Sequence, residues 1–138
     1  MKNLLLSLGF VLAACGGKPR TASFPFEASS VTPAAMGNVV TATDANGNTQ
    51  LTIDVQHLAP ADRVAPGATA YVVWATDVAA GSTAQNLGAL RVDKDLRGKL
   101  EATTPLRTFD LAITAELSPG VNAPSGAPVL KVRVTPRS

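Results

Sequence analysis

Residues 49–56 read Thr-Gln-Leu-Thr-Ile-Asp-Val-Gln, with Leu51, Ile53 and Val55 alternating against Thr52, Asp54 and Gln56. A period of two sends successive side chains to opposite faces of an extended chain, so this stretch is a β-strand with one apolar and one wet face. Residues 37–43 precede it across Asp44, Ala45, Asn46, Gly47 and Asn48. Asn, Asp and Gly tolerate the backbone angles of a tight reversal, and the two runs therefore form a β-hairpin.

The same reading extends outward in both directions. Tyr71, Val72, Val73, Trp74 and Ala75 are apolar on both parities, as in a central strand covered on both sides or one whose second face meets loops. Residues 87–93 and 99–104 enclose Lys94, Asp95, Leu96, Arg97 and Gly98, a second hairpin. Leu111, Ile113 and Ala115 alternate with Ala112, Thr114 and Glu116, and Leu130, Val132 and Val134 alternate with Lys131, Arg133 and Thr135. Between these two strands lies a loop rich in Pro and Gly, residues 118–128. With an edge strand over 27–31 the chain is all-β, and an immunoglobulin-like antiparallel β-sandwich of about seven to eight strands fits it best, a small barrel being the alternative. No stretch after Phe26 sustains a helical period, and no repeat of solenoid or propeller length is present.

The N-terminus follows different rules. Lys2 supplies a positive charge, and residues 4–12 supply an apolar run much shorter than the roughly 20 residues of a membrane-spanning helix. This is a signal peptide. Leu12, Ala13, Ala14 and Cys15 resemble the lipobox of bacterial lipoproteins, which implies cleavage between Ala14 and Cys15 and acylation of the Cys15 thiol. The division expected is a leader over 1–14, an acylated Cys and linker over 15–25, and a sandwich over 26–138. At roughly 0.8 kcal/mol per buried CH₂, two or three acyl chains hold a soluble domain at a bilayer. The location expected is the bacterial cell envelope, and Gly16, standing where an Asp would signal inner-membrane retention, tips the balance toward the periplasmic face of the outer membrane. Lys18 and Arg20 either strengthen that attachment at anionic headgroups or solubilise the tether.

A second resemblance covers roughly half the chain. Gly67 through Tyr71, Val73 and Trp74, then Leu87 to Leu90, Phe109, Ile113 to Glu116, Pro124 to Gly126, and Val129 with Leu130 resemble the extracytoplasmic domain of anti-sigma factors of the anti-sigma-K type. That resemblance implies a β-sandwich on the outer side of a cytoplasmic membrane. Sigma-factor binding in that family belongs to a cytoplasmic helical region, which this sequence does not display, so no sigma factor is expected as a partner.

Composition narrows the chemistry. Removing residues 1–14 takes Lys2 and no acid from 12 basic and 10 acidic residues, so the mature chain carries 11 against 10, or +1. That balance recruits no nucleic acid. Cys15 is the single cysteine and His57 the single histidine, so a Cys and His pair is impossible after acylation, and a Ser, His, Asp set would have to use His57. His57, at a strand end before Leu58 and Pro60, reads as a solvated or structural residue. Asp44, Asn46 and Asn48, and again Asp93, Asp95 and Gly98, superficially resemble calcium loops, but Val55 and Thr104 stand where a bidentate Glu belongs. Arg91, Lys94, Arg97, Lys99 and Arg107 are interleaved with Asp93, Asp95 and Glu101, which makes a solvated hairpin of mixed charge.

The sequence therefore points to a non-enzymatic, membrane-anchored structural or protein-binding module with an envelope protein as partner, without catalytic residues, metal or cofactor. The alternative is a small-ligand or calcium-binding receptor domain. The 44–48 and 118–128 loops are the expected contact surfaces, because sandwiches gather their variable loops at their ends.

Overall fold

Val39, Leu51, Ile53 and Val55 from one sheet meet Tyr71, Val73, Phe109, Leu111, Ile113 and Leu130 from another, each with its side chain out of water. The computed structural model describes residues 20–135; the leader, Ala14 and Cys15 lie outside them. Among the described residues there are nine strands: β1 (Thr21–Pro25), β2 (Glu27–Ala28), β3 (Met36–Thr43), β4 (Thr49–Gln56), β5 (Ala70–Asp77), β6 (Gln85–Val92), β7 (Gly98–Thr104), β8 (Phe109–Glu116) and β9 (Leu130–Val134). A single helical turn, α1 (Ala61–Val64), interrupts the crossing from β4 to β5.

Every pairing is antiparallel, and the strand order is β1-β3-β4-β7-β6-β5-β8-β9-β2. The chain crosses from one layer to the other between β4 and β5 and again between β7 and β8. This alternation is the Greek-key pattern of an immunoglobulin-like sandwich. Two devices close its sides, so that it approaches a barrel. First, β6 belongs to both layers: residues 85–90 pair with β5, whereas Arg91 and Val92 pair with β7. An extra residue, Leu87, and Gly88 at φ +126° form a bulge that bends the strand between them. Second, β1 pairs with β3 and β2 pairs with β9, so one N-terminal segment spans both edges through Phe26. The terminal strands are then the short β1 and β2, five and two residues long, which limits the exposed ladder that would template aggregation.

That N-terminal segment corrects the expected linker. Residues 21–25 are a strand in register with β3, Thr21 opposite Ala42 and Pro25 opposite Asn38, with Phe24 packed on the core. Thr, Ser and Phe suit an edge strand, and Pro25 at its end donates no ladder bond. The expected edge strand over 27–31 is shorter than predicted, ending at Ala28.

The two hairpin turns share one construction. Asp44 Oδ1 accepts the N–H of Asn46 (2.9 Å) and of Asn48 (2.9 Å), while Asp93 Oδ1 accepts the N–H of Asp95 (2.9 Å) and of Arg97 (3.0 Å). The fourth residue of each turn is left-handed, Gly47 at φ +82° and Leu96 at φ +60°. Only the first turn has the residue that adopts this angle freely. Gly47→Ala is therefore expected to lower stability by about 1 kcal/mol in urea titration; an unchanged midpoint would show that the turn relaxes.

Candidate functional site

β3, β5, β7 and β9 run in one direction and the remaining strands in the other, which sorts the connections into two poles. The start of β1, the 44–48, 78–84 and 105–108 loops and the end of β9 share one pole. There Thr49 Oγ1 donates to the Leu106 carbonyl (2.8 Å). The 29–35, 57–69, 93–97 and 117–129 connections share the other. Leu58 N–H to Leu96 O (3.0 Å), Thr69 N–H to Glu116 O (2.8 Å) and Ser29 N–H to Val129 O (2.9 Å) tie these segments together. The two loops expected to act as contact surfaces, 44–48 and 118–128, thus lie at opposite ends.

The 117–129 connection does more than join β8 to β9. Val72 and Trp74 project from the face of β5 away from the inter-sheet core, beside Thr114 and Glu116 of β8, and all four are at most 1% exposed. The connection lies over them as a strap. Trp74 Nε1–H donates to Thr114 Oγ1 (2.8 Å), and the Thr114 hydroxyl donates to Glu116 Oε1 (2.6 Å). Glu116 then receives two donors from the strap, the Ser125 N–H on Oε1 (2.9 Å) and the Ser125 hydroxyl on Oε2. Farther along, Asn86 Nδ2 donates to the carbonyls of Pro119 (3.0 Å) and Val121 (2.9 Å). Burial alone would raise the Glu116 pKa, but the Ser125 and Thr114 donors outweigh it and hold the carboxyl below its ordinary value. The buried charge is thereby kept, with each oxygen satisfied.

The residues singled out from the sequence fare differently. His57 is exposed, at φ +57°, just past the end of β4. In the first calcium-like turn the carboxylate of Asp44 is committed to its own loop, chiefly to the Asn48 N–H, which holds its pKa below the ordinary value. Asp93 Oδ1 is likewise occupied by backbone donors. Among the described residues no group of three or more His, Cys, Asp or Glu is placed to hold a metal ion. Arg91, Arg97 and Lys99 share a shallow depression with Asp54 and Asp93, so the basic excess stays mixed in sign. A concavity of about 580 Å³ lies on the outer face of β3 and β4 and is lined by Met36, Asn38, Thr52, Asp54, Gln56 and Lys99 among others. It offers donors and acceptors alike.

Cys15 and Ala14 lie outside the described residues. Among those described, no helix is long and apolar enough to cross a membrane. No family model, curated protein or solved structure matches the chain.

Proposed function

We propose that this chain is the precursor of a bacterial lipoprotein, cleaved after Ala14 and acylated on Cys15, whose sandwich serves as a non-enzymatic protein-binding module of the cell envelope. The observation that carries this reading is the relation of the anchor to the two poles. Strand β1 begins at Thr21, and the six steps from Cys15 span at most about 22 Å when fully extended. An acylated Cys15 therefore holds the pole bearing the start of β1 close to the bilayer. The opposite pole faces outward.

That distal pole is also the apolar one. Of the five exposed large hydrophobic residues among those described, Val31, Met36, Leu96 and Leu117 belong to it, and Val78 alone sits at the proximal end. Exposed apolar groups gathered at one end suit contact with a partner protein. The resemblance to anti-sigma-K-type outer domains and the Gly at position 16 support an envelope location, on the periplasmic side of the outer membrane. No sigma factor is expected to bind.

Replacing Cys15 with Ala tests the anchor. Wild type is expected in the membrane pellet after a carbonate wash, and Cys15→Ala in the soluble fraction or retained as unprocessed precursor in which lipoprotein peptidase inhibitors change nothing. Mature-sized Cys15→Ala protein that stays in the washed pellet would refute lipid anchoring.

A further inference from the structure

The distal pole carries a cavity whose chemistry is one-sided. It measures about 310 Å³ and is bounded by Pro60, Asp62, Ala68, Tyr71, Leu90 and Leu96, with Thr69 and Asp93 at its margin. Ligand pockets commonly run from roughly 300 to 1,000 Å³, so this one suits a single long side chain better than a cofactor. Its lining is mixed: Ala68, Leu90, Val92 and Leu96 are aliphatic, whereas Asp62, Thr69 and Asp93 are polar, and no cation is among them.

The side-chain hydroxyl protons around it are already committed. Tyr71 Oη donates to the Ala59 carbonyl, and Thr69 Oγ1 donates to the Leu117 carbonyl (2.8 Å). What the side chains still present is acceptor capacity, namely the exposed Asp62 carboxylate and the second oxygen of Asp93. Neither aspartate pairs with a described cation, in contrast to Asp110, which Arg133 meets at 2.8 Å. Arg63, Lys94 and Arg97 adjoin these positions in sequence, yet none lines the cavity. The field of Asp62 reaches the floor: burial and then its charge push the Tyr71 hydroxyl up to about 12. A cavity that is part aliphatic and part acidic, with no cation in its lining, is complementary to an alkyl stem ending in a cation.

We propose that this cavity receives a lysine or arginine side chain of a partner protein, the stem against Leu90, Leu96 and Ala68 and the cationic head at the Asp62 carboxylate. The proposal deepens the reading of the distal pole as a binding surface and does not depend on acylation, so each can fail alone.

The test uses the full chain in detergent, followed by backbone amide NMR. The probes are a blocked heptapeptide with one central lysine, its norleucine counterpart, and n-butylammonium. The lysine peptide is expected to give saturable shifts at Asp62, Ala68, Tyr71 and Leu96. Binding should weaken about tenfold with the norleucine peptide or with Asp62→Asn, as loss of one charge-assisted contact requires. Glu101→Gln, which removes an exposed acid of β7 that does not line the cavity, should leave it unchanged, and Asp62→Asn should leave membrane fractionation unchanged. Absence of saturable shifts, equal binding to Asp62→Asn, or equal binding of the norleucine peptide would overturn the site. Butylammonium binding as tightly as the peptide would overturn the assignment to a protein side chain.

Discussion

Glu116→Ala is expected to lower the free energy of unfolding by about 2–3 kcal/mol and to loosen the strap over Trp74. The substitution removes the acceptor of three hydrogen bonds at once. Ser125 then loses its hold on the strap, and the Thr114 hydroxyl is left with the Trp74 Nε1–H on one side and no acceptor on the other. Trp74 is the chain's single tryptophan, so its emission reports on this spot alone. A red shift and stronger acrylamide quenching should accompany the loss while the far-ultraviolet spectrum stays that of a β-sandwich. A variant with unchanged emission would show that other contacts hold the strap.

The same carboxylate makes a prediction about acid. Its folded pKa lies below the ordinary glutamate value of 4.5, so its contribution is complete above that value and disappears as pH falls through the folded one. Glu116→Gln should therefore be less stable than wild type at neutral pH, with the gap closing below pH 4.5. A gap that stays constant into strong acid would contradict the ionised state assigned here.

Gly37→Ala should be at least as damaging, at about 3 kcal/mol or more, measured as the urea midpoint. Gly37 lies on the inward parity of β3 with Val39 and Thr41, opposite Val55 of β4. A Cβ built there meets the Asp54 carbonyl oxygen at 2.4 Å and the Val55 Cα at 2.9 Å, and both are backbone of the neighbouring strand. No rotamer relieves such a clash; β4 would have to move, and β4 carries Leu51, Ile53 and Val55 into the core. Gly126→Ala is the matched control, since nothing lies within 4 Å of a Cβ there. It should shift stability by no more than about 0.5 kcal/mol. A Gly37→Ala loss as small as the control's would mean that the two strands are not packed as described.

The layered architecture was legible because the alternation of Leu51, Ile53 and Val55, of Leu111, Ile113 and Ala115, and of Leu130, Val132 and Val134 is the physical cause of the buried interface. The seven strands expected after the 27–31 edge all appear near their expected bounds. What alternation does not encode is which layer a segment joins. Thr21–Pro25 reads as linker because its composition is polar, yet pairing with β3 satisfies its backbone and Phe24 reaches the core. The apolar second face of 71–75 signalled a cover, either a second layer or loops, and the 117–129 connection is that cover. The polar side of that site was hidden, because Glu116 reads as the wet end of an alternating strand, and its burial depends on Ser125 and Asn86, neither adjacent in sequence. The pocket at Asp62 was hidden for the same reason: α1, β5 and β6 meet there only after the chain has crossed between layers.

The functional account rests on Cys15, and intact-mass and tandem mass spectrometry of the protein extracted from membranes examines it most directly. The account predicts a mature N-terminus at Cys15 bearing a diacylglycerol thioether, with residues 1–14 absent. A chain that begins elsewhere, or begins at Cys15 with an unmodified thiol, would contradict it.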